Sequence, residues 1–133
     1  MKQIDIEDPA VEKVRRKVED DRGASALLLF GSRARGTESE GSDIDLCVVL
    51  NPDLKKDEVF DKTLEYLSLE TEKIDISIFQ NLPVVVKKKI FEEGDIVFSK
   101  DIDLVYDLAF QTIKEYDDFR KYYEDYLEGV KNA

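Results

Sequence analysis

The chain has 133 residues, a hydrophobic fraction of 42%, and 20 Lys and Arg against 31 Asp and Glu, for a formal net charge of −11. That length supports a single domain, residues 1–133, with a real core, and leaves no room for a catalytic domain plus a separate substrate domain; the apolar content excludes a disordered chain. The acidic field repels polyanions, so a nucleic acid held along its phosphates is disfavoured, whereas a small anion that brings its own cation is allowed.

No stretch approaches the roughly 18 consecutive apolar residues of a membrane helix. The opening, MKQIDIEDPAVEK, lacks the apolar centre of a signal peptide. The expectation is a soluble, cytoplasmic protein without membrane contact. Cys47 stands alone within DLCVVL and reads as a small buried hydrophobe, with no disulfide or thiolate cluster. Two basic clusters, Arg15-Arg16-Lys17 and Lys87-Lys88-Lys89, are not interleaved with aromatics and read as solvated helix faces.

In chain order, Asp8-Pro9 is a helix start, with Asp as cap and Pro in the first turn, and Val11, Val14 and Val18 follow at helical spacing. Residues 24–30 form a continuous apolar run of strand length, consistent with a central strand covered on both faces. Gly31 to Gly41 is a connection whose residues Glu38 to Gly41 are turn-like. A second strand runs from Asp43 to Leu50. Residues 57–70 read as an amphipathic helix with Phe60, Leu64 and Leu67 on one stripe. Residues 73–79, KIDISIF, alternate strictly, with Ile74, Ile76 and Ile78 on one face and Asp75 and Ser77 on the other. A helix over 83–93 capped by Gly94, a short edge strand over 95–99, and one long helix over 103–129 of roughly 40 Å complete the chain. The implied architecture is an α/β (α+β) fold: a small mixed sheet with helices mainly on one side, a core over 8–100 and a long C-terminal helix.

Chemistry concentrates between Leu27 and Leu50, LLLFGSRARGTESEGSDIDLCVVL. Alternation sends Asp43 and Asp45 to one face of their strand while Ile44 and Leu46 enter the core. Two carboxylates on one rigid face can share a hard cation. Gly31 lets backbone amides approach an anion, Ser32 adds a hydroxyl, and Arg33 and Arg35 add positive charge. Asp75, in mid-strand, is costly if buried without a counter-charge, and a metal would supply one. The bland readings are a solvated strand face for Asp43 and Asp45, a protective edge charge for Asp75, and surface salt bridges from Arg33 and Arg35 to Glu38 or Glu40.

Gly31-Ser32-Arg33-Ala34-Arg35-Gly36 followed by Ser42-Asp43-Ile44-Asp45-Leu46 resembles the signature of the nucleotidyltransferase superfamily that includes DNA polymerase beta, and most of all its minimal bacterial and archaeal members. The resemblance implies a polymerase-beta-like fold and transfer of AMP, or another nucleoside monophosphate, from ATP with two Mg²⁺ ions. It gives Asp43, Asp45 and Asp75 the metal-binding and catalytic roles, with Asp75 accepting the proton. The Gly31-Ser32 cradle, with Arg33, Arg35 and Ser42 nearby, then binds the nucleotide. It further implies pairing with a helical HEPN-type protein, the two acting as toxin and antitoxin and the nucleotidyltransferase modifying the toxin. A binding module that neutralises its partner by contact alone is the alternative, and transfer to a small molecule such as an antibiotic a weaker one. The C-terminal helix carries Tyr106, Phe110, Tyr116, Phe119, Tyr122, Tyr123 and Tyr126, spread too widely for one narrow stripe. It is expected to dock a protein partner, with a homo-oligomer left open.

Overall fold

The structure, a computed structural model, describes residues 1–31 and 43–132. Helix α1 (Pro9–Asp20) begins as expected: the Asp8 carboxylate accepts from Ala10 N at 2.8 Å and Val11 N at 3.4 Å, Pro9 occupies the first turn, and Val11, Val14 and Val18 are buried. Strand β1 (Ala24–Phe30) pairs antiparallel with β2 (Ile44–Leu50), and β2 pairs parallel with β3 (Ile74–Ile78). Strand β4 (Asp95–Ser99) lies antiparallel on the other side of β1, so the sheet order is β3-β2-β1-β4. Helix α2 (Lys56–Leu67) joins β2 to β3; α3 (Val84–Glu93) precedes β4, and α4 (Ile102–Lys131) ends the chain.

Both sheet edges are guarded. The N-terminal segment lies along β4, where Ile96 N donates to Lys2 O at 2.7 Å and Ile4 N to Ile96 O at 2.9 Å. On β3 the Ile76 amide donates to the Glu70 carboxylate at 3.0 Å. Satisfying edge amides in this way blocks further strand addition.

The mixed sheet and the long final helix agree with the sequence reading, but the expectation of helices mainly on one side is corrected. Leu27, Leu29, Leu46, Val48 and Ile76 pack with α1 and Tyr66 of α2 on one face; Ala26, Leu28, Cys47 and Val49 pack with Ile90 of α3 and Val105 of α4 on the other. The cause lies in β1 and β2, apolar at nearly every position, which require cover on both faces.

The apolar stripe on α2 is also corrected. Phe60 and Leu64 are 64% and 56% exposed, and Tyr66 is the fully buried residue of this helix, with Val59 packed beside it. The sets 59/63/66 and 60/64/67 have the same spacing and differ by one residue, so periodicity alone does not choose between them. What decides is Asp21, whose carboxylate accepts from Tyr66 OH at 2.8 Å, Lys62 Nζ at 2.9 Å and Gly23 N at 2.8 Å. A buried tyrosine needs such an acceptor, whereas a buried phenylalanine would leave Asp21 short of a partner.

Gly94 caps α3 as expected, but not through left-handed backbone, since its φ is −84°. A Cβ there would come within 2.8 Å of Leu29 O, so the glycine allows α3 to end hard against β1. Helix α4 has 30 residues, hence about 45 Å. Val105 and Thr112 are its buried positions, and from Asp117 to Asn132 every residue is exposed.

Candidate functional site

Strand β1 delivers the chain to Gly31, whose φ of +80° lies in the left-handed region. A side chain there would be strained, and a Cβ would collide with the Asp45 carboxylate, coming within 3.1 Å of its Cγ. Gly31 and Asp45 are therefore fitted to each other: the carboxylate occupies the space a side chain would need. Register explains the approach, because Phe30 is the cross-strand partner of Asp45.

On its other side Asp45 stands level with Asp75 of β3. Neighbouring strands lie about 4.8 Å apart, so the two residues rise side by side from the sheet face that α3 and α4 cover further along. Asp75 is exposed and Asp45 half-buried. Asp43 precedes β2 by one residue and is exposed, and continued alternation assigns it to the same face. The structure thus brings together Gly31, Asp45 and Asp75. Among the described residues it does not draw three acidic or cysteine side chains into a group close enough to hold a metal. Ser32, Arg33, Arg35 and Ser42 lie outside the described residues.

The donor set has the character a hard divalent cation requires: carboxylate oxygens on rigid strands, with no sulfur close by except Cys47, which is buried in the sheet. Burial pushes the Cys47 thiol far up, so it stays protonated and takes no part in this chemistry.

Sequence reasoning passed over one neighbour of this site. Beside Gly31 a cleft of about 170 Å³ is lined by Phe30, Gly31, Val86, Lys89, Ile90 and Glu93. In the sequence Lys89 belongs to the basic run Lys87-Lys88-Lys89, which reads as a solvated helix face. Val86, three residues earlier on the helix, lines the same cleft, but Lys89 is itself exposed, so its local spacing carries no signal for this position.

Residues 12–103 match the family model described as polymerase beta, nucleotidyltransferase. A protein of Methanocaldococcus jannaschii, named provisionally as a protein adenylyltransferase, is 32% identical over 80 residues, covering 59% of this chain and 58% of that protein. The chain therefore matches only somewhat over half of that relative's length. Among solved structures, one toxin–antitoxin determined with AMP-PNP superposes with a TM-score of 0.66 at 19% identity, covering 94% of this chain and 98% of the other. A complex from Shewanella oneidensis, of tri-AMPylated HEPN toxin with MNT antitoxin, gives a TM-score of 0.62 at 17% identity over 91% and 95% of the two chains. At these identities the structural likeness speaks for the fold.

Proposed function

Because the chain belongs to the polymerase beta nucleotidyltransferase family, we propose that it transfers AMP from ATP to a hydroxyl on a partner protein, and that this modification makes it the antitoxin of a HEPN-type toxin. The observation that carries the reading is the placement of Asp45 between Gly31 and Asp75 on one sheet face. A carboxylate pair beside a glycine that opens the backbone to an anion is the minimum such a reaction needs.

In this reading Asp43 and Asp45 would hold the Mg²⁺ of the nucleotide, and Asp75 with Asp45 would hold a second ion. When bound, the ions neutralise the phosphates and lower the pKa of the acceptor hydroxyl. The chain itself supplies placement. Gly31 begins the cradle for the β- and γ-phosphates, and Ser32, Arg33, Arg35 and Ser42 continue it. The acceptor oxygen attacks the α-phosphorus, the bond between that phosphorus and the bridging oxygen breaks, and pyrophosphate leaves. Asp75, exposed at the rim, takes the acceptor's proton. Positioning and charge neutralisation carry such a transfer, and no covalent intermediate is required.

Helix α4 is the proposed docking element. Phe119, Tyr122, Tyr123, Tyr126, Leu127 and Val130 recur at i, i+3, i+4, i+7, i+8 and i+11, all exposed. They continue the face that buries Val105 and Thr112 in the first half of the helix. One stripe is thus covered at its start and bare at its end. That bare half also favours the second reading, neutralisation of the partner by contact without transfer.

The deciding experiment incubates the chain with ATP labelled at the α-phosphorus, Mg²⁺ and a HEPN-type protein encoded in the same host. Label on the partner, lost with Asp45→Asn, supports transfer. A stable complex without label supports the contact reading and removes the catalytic one.

A further inference from the structure

Three consecutive lysines on α3 point three ways. Lys87 Nζ lies 5.0 Å from the centre of the Phe79 ring. Lys88 pairs with Glu92 and sits 4.4 Å from the centre of the Tyr116 ring. Lys89, in contrast, makes no hydrogen bond, ion pair or ring contact with a described residue, and it lines the cleft beside Gly31. Glu93, one turn further along the same wall, has an interaction of its own. We propose that Lys89 is a substrate-binding residue that holds the pyrophosphate end of the nucleotide, its ammonium meeting the β- and γ-phosphate oxygens over Gly31.

This role for Lys89 rests on the nucleotidyltransferase reading and follows from the order of groups across the sheet. Asp75 stands on β3, Asp45 beside it on β2, Gly31 at the end of β1, and Lys89 above β1 on α3. The carboxylates therefore lie at one end of this line and the Lys89 ammonium at the other, with the glycine between. A nucleotide whose α-phosphorus lies at the carboxylates and whose chain of phosphates crosses Gly31 brings its terminal phosphates to Lys89. Charge favours the same orientation. Even with two divalent cations offsetting the nucleotide's own charge, the triphosphate enters a chain of net charge −11. A cation on the far wall is needed most where the leaving pyrophosphate gathers charge. The cleft has the right scale too: at ~30 Å³ per water its 170 Å³ takes a few waters or phosphate oxygens and not a whole nucleotide.

The test uses calorimetry on the full chain with Mg-ATP and, separately, with AMP, for the wild type, Lys89→Ala, Lys89→Arg and, as a surface control on the opposite sheet face, Lys13→Ala. Lys89 is exposed and unpaired among the described residues, so all variants should melt as the wild type does. Lys89→Ala is expected to bind Mg-ATP about tenfold more weakly or worse while AMP affinity stays within about twofold, since one charge-assisted contact is lost at the far end alone. Lys89→Arg restores most of the ATP affinity, and Lys13→Ala changes neither ligand. Wild-type affinity for Mg-ATP in Lys89→Ala overturns the assignment of Lys89 and leaves the nucleotidyltransferase reading intact. Equal losses for ATP and AMP overturn its position at the pyrophosphate end. Absence of Mg-ATP binding in the wild type overturns both proposals together.

Discussion

Asp45 and Asp75 occupy matched positions on the parallel pair of β2 and β3, and Asp45 also fills the space over Gly31. Two carboxylates set side by side repel, and a cation held between them would relieve that repulsion. Replacing either by Asn should abolish transfer. The informative readout is the melting temperature with and without Mg²⁺. A ligand that binds only the folded state raises it, so millimolar Mg²⁺ should stabilise the wild type and lose most of that effect in Asp45→Asn. If the Asn variant gains as much from Mg²⁺ as the wild type, these carboxylates are not the metal site.

Gly31→Ala tests the glycine separately. The substitution places a Cβ at φ +80° and drives it into Asp45, so both strain and displacement follow. The expected loss is about 1–3 kcal/mol in urea unfolding, together with loss of transfer. A variant of wild-type stability would show that this turn has another conformation in solution.

How far the sequence was legible differs between these features. The order of elements, the capped start of α1 and the odd-numbered face carrying Asp45 and Asp75 all follow from local rules, because two-residue alternation and a cap act within a few residues. The face of α2 does not. Choosing Tyr66 over Phe60 depends on Asp21, 45 residues earlier in the chain. Nor does the direction of Lys89, because its place depends on how α3 seats against β1, where Gly94 and Leu29 meet. The aromatics of α4 looked scattered because two stripes overlap in the sequence: Tyr106, Phe110 and Ile113 on one side, and the run from Phe119 to Val130 on another.

The Asp21 cluster yields a pH prediction. Burial raises the Asp21 pKa, but hydrogen bonds from Lys62, Gly23 and Tyr66 outweigh it and hold the carboxyl below its ordinary value. A depressed folded pKa contributes stability that is complete above the unfolded value of about 3.9 and is lost as the pH falls through the folded one. The wild type should therefore lose stability below about pH 4, and Asp21→Asn should lack the part of that loss due to this group. At neutral pH Asp21→Asn or Tyr66→Phe should cost about 1–3 kcal/mol, whereas Leu64→Ala, on the exposed stripe, should stay within about 0.5 kcal/mol. Chemical denaturation at pH 7 and pH 3 measures all of these, and a large effect at Leu64 would contradict the orientation of α2.

The final prediction concerns the second half of α4. Residues beyond Tyr116 are exposed along their whole length, with Phe119 and Tyr123 stacked on each other at 6.2 Å and nothing else described covering them. A helical segment of about 15 residues without tertiary cover is marginal in water, so in the free chain its amides should exchange with solvent far faster than those of α1 or β1. If this half docks a HEPN-type partner, adding that protein should protect residues 119–130 and leave the amides around Asp43 to Leu50 little changed. Ending the chain at Tyr116 keeps Val105 and Thr112 in the core. The truncated chain should therefore keep the melting temperature and Mg-ATP affinity of the full one while losing the partner. Ending it after Asp103 would remove that packing as well and confuse docking with folding. Unchanged exchange in the presence of the partner, or capture of the partner by the chain ending at Tyr116, would show that docking uses another surface, the bare stripe of Phe60 and Leu64 on α2 being the next to test.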